Sequence, residues 1–191
     1  MKVTFYFDPA CPFTWRTSRW LLAVAPERGL EIHWRAFSLA LLGGETPEKF
    51  RSALAASIRA LRLVESLRSE GRHDVVAAFY TGIGERTHDV SDLLSDEVVA
   101  AAAEAAGVTH PETVLGDAAW DDTVKESHET AMALAGPGIG SPVLHLEGSA
   151  RGLHGPVIGE VPSPADGLVI WDSTAALSSI DYFFEVKRGR G

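Results

Sequence analysis

Cysteine occurs once in 191 residues, at Cys11, and asparagine and glutamine do not occur at all. A single cysteine excludes an internal disulfide framework, so the core must hold by packing alone. Without asparagine there is no N-glycosylation acceptor. Positive charge is scarce too: 17 Lys and Arg face 26 Asp and Glu, a formal net charge of −9. That balance argues against a nucleic-acid binder, which would carry a basic face. The one basic cluster, Lys187, Arg188 and Arg190, sits at the C-terminal end and reads as a solvated tail. No apolar run approaches the ~18 residues of a membrane span. The run Val3 to Phe7 is far too short for the apolar region of a signal peptide. The expectation is a cytoplasmic protein that binds neither membrane nor nucleic acid.

Residues 2–7 are rich in aromatic and β-branched types, which suits a buried strand. Pro12 fits the first position of a helix, where its missing N–H costs nothing. The helix runs on from Trp15 to Glu27, and Pro26 and Gly29 mark its exit. A second strand follows at Glu31 to Phe37, making a βαβ unit. Helices are then predicted at Pro47–Ser69, Asp74–Arg86, Asp92–Ala106, Pro111–Gly116 and Trp120–Ala135, with no convincing strand among them. Strand signals return at Val143–Glu147. Leu153 to Ile158 offers a partner strand, interrupted by Gly155-Pro156, which favours an edge or a bulge. A last helix is predicted from about Pro164 to Lys187. The order β-α-β, helices, β-β-α points to an α/β core split by an all-helical insertion. The core would comprise 1–40 plus 139–191, and the insertion 41–138.

Cys11 lies where the first strand gives way to the first helix. A thiol is a nucleophile only as thiolate. At a helix start, the free N–H groups of Phe13, Thr14 and Trp15 and the macrodipole favour negative charge on sulfur. Thr14 can add an O–H···S⁻ hydrogen bond. Each effect predicts a lowered thiol pKa; the bland alternative is an inert buried cysteine.

The sequence Phe7-Asp8-Pro9-Ala10-Cys11-Pro12-Phe13-Thr14-Trp15, the helical insertion and Ser141-Pro142 before a strand resemble the DsbA-like branch of the thioredoxin superfamily. The similarity is closer to its cytoplasmic mycothiol-dependent oxidoreductases and nitroreductases, and extends to Thr17–Trp20, Ser38–Ala40, His145, Leu168–Ser173 and Phe183–Arg188. The resemblance implies a thioredoxin-like fold and catalysis by Cys11 with Thr14. It also implies a cis-proline at Pro142 opposite Cys11, with the Ser141 backbone offered to an extended thiol partner. Pro12 and Phe13 would complete the thiol-binding surface. The family motif is usually Cys-Pro-Trp-Cys; here Thr14 replaces the second cysteine. A mixed disulfide on Cys11 therefore needs an external thiol to resolve it: mycothiol, or glutathione. Gly43 and Phe50 stand near where such proteins tend to carry Asn and Tyr, which weakens any carry-over of nitro-compound binding.

More distantly the chain resembles kappa-class glutathione transferases and 2-hydroxychromene-2-carboxylate isomerases. In those, Asp172 and Ser173, at or near the start of the last helix, would hold the polar end of the thiol; helix capping is the equal alternative. Three functions remain open: a monothiol oxidoreductase acting on small disulfides or electrophiles, a thiol-dependent transferase or isomerase, and a redox-inactive binding scaffold. No metal site is expected, because His128-Glu129-Thr130-Ala131-Met132 lacks the second histidine of a zinc helix. His88 either faces the sulfur or caps a helix. Trp15 and Trp20 read as core. Monomer and homodimer both fit.

Overall fold

A computed structural model describes residues 1–189, so Arg190 of the basic cluster lies outside the described residues. Four strands form one sheet in the order β2-β1-β3-β4: β1 Lys2–Phe7, β2 Glu31–Ala36, β3 Val143–Leu146 and β4 Leu153–His154. β1 is central. It pairs in parallel with β2, from Lys2↔Glu31 to Phe7↔Ala36, and antiparallel with β3, from Val3↔Leu146 to Tyr6↔Val143. Its alternate side chains divide between the two faces of the sheet. Val3, Phe5 and Phe7 enter the main core with Trp15, Trp20 and Tyr80. Tyr6 enters a smaller cluster with Phe37, Ala131 and Val143.

The parallel pair needs a crossover, supplied by α1, Pro12–Arg28. Pro26 lies inside this helix, which ends only where Gly29 takes a left-handed conformation (φ 58°). Five α-helices come between β2 and β3: α2 Glu48–Ser69, α3 His73–Thr87, α4 Asp96–Ala105, α5 Pro111–Leu115 and α6 Asp121–Ala135. α2 to α5 share the core cluster of β1 and α1, while α6 packs Ala131 into the smaller cluster with Tyr6. α3 presses closely on α1. A Cβ at Gly84 would lie 2.2 Å from the Trp15 ring, so only glycine admits that ring. The insertion also serves the sheet edge. The Ala36 N–H donates to the buried Glu65 carboxylate at 2.7 Å, and its carbonyl accepts from Ser127 Oγ at 2.7 Å.

Three elements differ from the sequence reading by more than one residue at a boundary. α4 begins at Asp96 and not at Asp92, because Ser95 is its cap, accepting from the Val98 N–H at 3.3 Å. β4 is two residues long, since Gly155 (φ 104°) turns the chain away after His154. The last helix, α7, is Pro164–Ser178 and does not reach Lys187. Ser178 and Ser179 turn their hydroxyls onto the carbonyls of Ala175 and Ala176, an arrangement that competes with helix continuation. Residues 179–189 are non-helical. α7 packs on α1 through Trp20, whose Nε1–H donates to the Gly167 carbonyl at 2.9 Å, and through the ring of Trp171.

Candidate active site

Cys11 is the N-cap of α1, with extended backbone, and Pro12 follows at the first helical position. Cys11 as a whole is 8% exposed. The Ser141–Pro142 peptide, cis in this structure, lies opposite. Cys11 Sγ donates to the Ser141 carbonyl at 3.7 Å. The Ser141 side chain reaches back to the cysteine turn: its Oγ accepts from the Thr14 hydroxyl at 2.8 Å and from the Asp8 N–H at 3.0 Å. Cys11, Thr14, Ser141 and Pro142 therefore form one cluster. Pro12 is exposed at its rim and Phe13 half-buried beside it.

Asp172 and Ser173 are elsewhere. They are the ninth and tenth residues of α7, whose cap is Ser163. Both are exposed, and Asp172 is bound to Arg28 in two hydrogen bonds of 2.9 and 2.8 Å. Arg28 ends α1, roughly 24 Å along the helix from its Cys11 end at ~1.5 Å per residue. The pair is thus neither at a helix start nor beside the sulfur.

Burial pushes the Cys11 thiol above its ordinary pKa. The Thr14 hydroxyl and N–H and the Phe13 N–H pull the other way, while the charge of Asp8 adds to the rise. The acidified thiol expected from the helix start is thus reversed in the resting site. The anion-stabilising donors are present, but removal of the sulfur from water outweighs them.

Asp8 is a residue of the site to which the sequence reading gave no role. It is fully buried. Its Oδ1 accepts from Ala10 N–H at 2.8 Å and Ser57 Oγ at 2.6 Å, and its Oδ2 from Leu39 N–H at 2.7 Å. It thereby ties the active-site turn to α2 and to the segment after β2. Burial raises its pKa against these three bonds. The only sequence signal was an acid placed directly after an apolar strand. His88 caps α3 and donates from Nε2 to the Pro9 carbonyl at 2.8 Å, which fixes the loop just before Cys11. Burial lowers its pKa, keeping the ring neutral. Trp15 donates to Asp89 Oδ1 at 2.8 Å and reinforces the same α1–α3 junction. Among the described residues, no group of three or more His, Cys, Asp or Glu side chains is placed to hold a metal ion. No described helix is long and apolar enough to cross a membrane.

Comparison with known proteins gives this site its family. The chain is 28% identical over 193 residues to the uncharacterized protein Rv2286c of Mycobacterium tuberculosis (strain ATCC 25618 / H37Rv), covering 97% of this chain and 81% of that one. Among solved structures it is similar to a 2-hydroxychromene-2-carboxylate isomerase (TM-score 0.60, 17% identity, covering 92% of this chain and 95% of that one). It is also similar to a periplasmic thioredoxin-like protein of Salmonella enterica serovar Typhimurium (TM-score 0.59, 14% identity, 92% and 84% covered). A third is the cytosolic disulfide reductase DsbM of Pseudomonas aeruginosa, solved with GSH (TM-score 0.55, 15% identity, 93% and 100% covered). At such identities these structures speak for the fold, which is thioredoxin-like of the DsbA type. Because the match to its family runs over residues 10–188, the chain belongs to the Rv2466c-like family, that of the mycothiol-dependent nitroreductase Rv2466c.

Proposed function

We propose that this protein is a cytoplasmic monothiol oxidoreductase in which Cys11 alone carries the redox chemistry. The Cys11 thiolate attacks a disulfide, forms a mixed disulfide and expels the other half as a thiolate. A low-molecular-weight thiol, entering as second substrate, then attacks that mixed disulfide as its own thiolate. The products are a new small disulfide and free Cys11 thiolate. Mycothiol is the thiol that the family description favours. The observation that carries this reading is the position of Cys11 Sγ at the N-cap of α1, 3.7 Å from the Ser141 carbonyl, with a hydroxyl at Thr14 where a resolving cysteine would stand. An extended thiol partner would pair with the Ser141 backbone next to Pro142.

A second reading, a thiol-dependent transferase or isomerase, draws on the raised Cys11 pKa and on the Thr14 hydroxyl in the same turn. There Thr14 would stabilise the thiolate of the bound small thiol, and Cys11 would not change its redox state.

The test is intact mass after exposure to mycothiol disulfide or glutathione disulfide. The oxidoreductase forms a single adduct that Cys11→Ala abolishes and free thiol removes. Absence of any adduct, together with thiol-dependent turnover that survives Cys11→Ala but not Thr14→Ala, would instead establish the transferase.

A further inference from the structure

Lys187 and Arg188 of the C-terminal basic cluster are exposed, and both line a groove. Beyond α7 the chain folds back over this groove, which is of about 1110 Å³ and reaches the first two turns of α1. Phe13 and Arg16, two and five residues beyond Cys11, are among its lining residues. The segment after β4 forms another wall and is fastened to the same helix, where the Thr17 hydroxyl donates to the Pro156 carbonyl at 2.8 Å. The Gly155 N–H in turn donates to the Pro142 carbonyl at 2.9 Å. The groove therefore adjoins the Cys11–Ser141–Pro142 cluster: both rest on the start of α1, and the Gly155–Pro142 hydrogen bond joins the groove-lining segment to the cluster.

Its charge is opposite to that of the protein. Arg16, Arg151, Lys187 and Arg188 line it with one carboxylate, Glu185, in a chain of formal net charge −9. Glu185 is taken by Lys187 at 2.8 Å. Arg16 and Arg151 are held by rings instead: their guanidinium carbons stand 5.5 Å from the centroids of Phe13 and Phe184 respectively. A ring engages the cation through its face and takes none of the N–H donors that fan out in the guanidinium plane. Among the described residues Arg16, Arg151 and Arg188 make no ion pair with a carboxylate. Guanidinium forks of this kind match an oxyanion in a bidentate manner. Ile139, Leu153, Val157, Ile158, Ile180 and Phe183 supply apolar walls between the cations. Anion-binding groups on an apolar cleft are the features of a small-molecule site.

We propose that this groove binds an organic anion with an apolar body: Arg16 and Arg151 hold its oxyanion, and its reactive sulfur or electrophilic centre is presented to Cys11. This rests on Cys11 being the nucleophile and adds the charge class of what it attacks.

Two aryl disulfides of opposite character test it. Cys11 thiolate attacks 5,5′-dithiobis(2-nitrobenzoate), forming a mixed disulfide and expelling a coloured thiolate that carries a carboxylate. With 4,4′-dithiodipyridine the same exchange expels a pyridinethiolate that becomes a neutral thiopyridone once its ring nitrogen has taken up a proton. The ratio of the two second-order rates cancels any change in Cys11 itself. It should fall about tenfold or more in Arg16→Ala/Arg151→Ala, and less in Arg151→Lys. An unchanged ratio would overturn the proposal. If neither reagent reacts with the native protein, the nucleophile reading fails, and the groove is then judged by equilibrium binding to Cys11→Ser. There 4-nitrobenzoate should bind more tightly than 4-nitrobenzamide, with the difference lost in Arg16→Ala/Arg151→Ala. Equal affinity for the acid and the amide refutes the anion site.

Discussion

Thr14 Oγ1 lies 2.8 Å from Ser141 Oγ, so the residue in the resolving-cysteine position and the residue before Pro142 share one hydrogen bond beside the sulfur. Ser141 Oγ already accepts from the Asp8 N–H and keeps a proton of its own. It can turn that proton onto Thr14, which frees the Thr14 hydroxyl to donate to sulfur when Cys11 ionises. Thr14→Val removes the donor while preserving shape. A hydrogen bond to an ion contributes about 1.5–3 kcal/mol, so Cys11 alkylation at neutral pH should slow about tenfold or more. Thr14→Ser should retain most of the rate. Iodoacetamide kinetics on the two variants decide the matter, and equal slowing of both would exclude a role for the hydroxyl.

The raised Cys11 pKa fixes the sign of a pH effect. The folded protein holds the thiol proton more tightly than the unfolded chain does. Stability therefore falls as pH rises from the ordinary thiol value through the folded value, because the unfolded chain releases its proton first. Cys11→Ser, which does not ionise in this range, should flatten that part of the profile. Urea midpoints for both proteins across the alkaline range measure it. A native midpoint that rises through that window would show instead that the thiolate is favoured in the fold.

Much of the scaffold was legible because its signals are local. The aromatic and β-branched run of β1, Pro12 at the first helical position and Gly29 at the exit each act within a few residues. What was missed depended on distant partners. Asp8 owes its importance to Leu39 and Ser57, 31 and 49 residues away. The elevation of the Cys11 pKa depends on burial that no spacing reveals. Phe183, Phe184 and Val186 continue the apolar periodicity of α7, yet they wall the groove from an irregular segment. Asp172 resembled a cofactor ligand by position, but in the fold it meets Arg28 at the far end of α1.

Gly84 provides a test of the α1–α3 contact. Its missing side chain admits the Trp15 ring, and Trp15 sits one turn from Cys11. Gly84→Ala places a methyl group where the ring stands, a misfit that typically costs about 1–3 kcal/mol. A lowered urea midpoint with unchanged slope is expected. Because the ring must shift, Trp15 would pull away from Asp89, and its fluorescence should change in the native state. A variant as stable as the native protein would mean that this contact is looser than the structure shows.

Asp8 should act on both stability and reactivity. Three donors converge on its carboxylate, and an amide offers them only one accepting oxygen. Asp8→Asn therefore leaves at least one buried donor facing an NH₂ group, a loss of about 1–3 kcal/mol that should appear as a lower urea midpoint. The effect on Cys11 runs the other way. The Asp8 charge contributes to the rise in the thiol pKa, so its removal should lower that pKa. The rate of alkylation near neutral pH should then increase, although the protein is less stable. The two readouts separate electrostatics from damage to the turn: a misplaced Cys11 would react with an unchanged titration midpoint, whereas relief from Asp8 moves the midpoint down. Thiolate absorbance at 240 nm followed through the titration distinguishes them, and a midpoint that rises in Asp8→Asn would show that the carboxylate favours the thiolate after all.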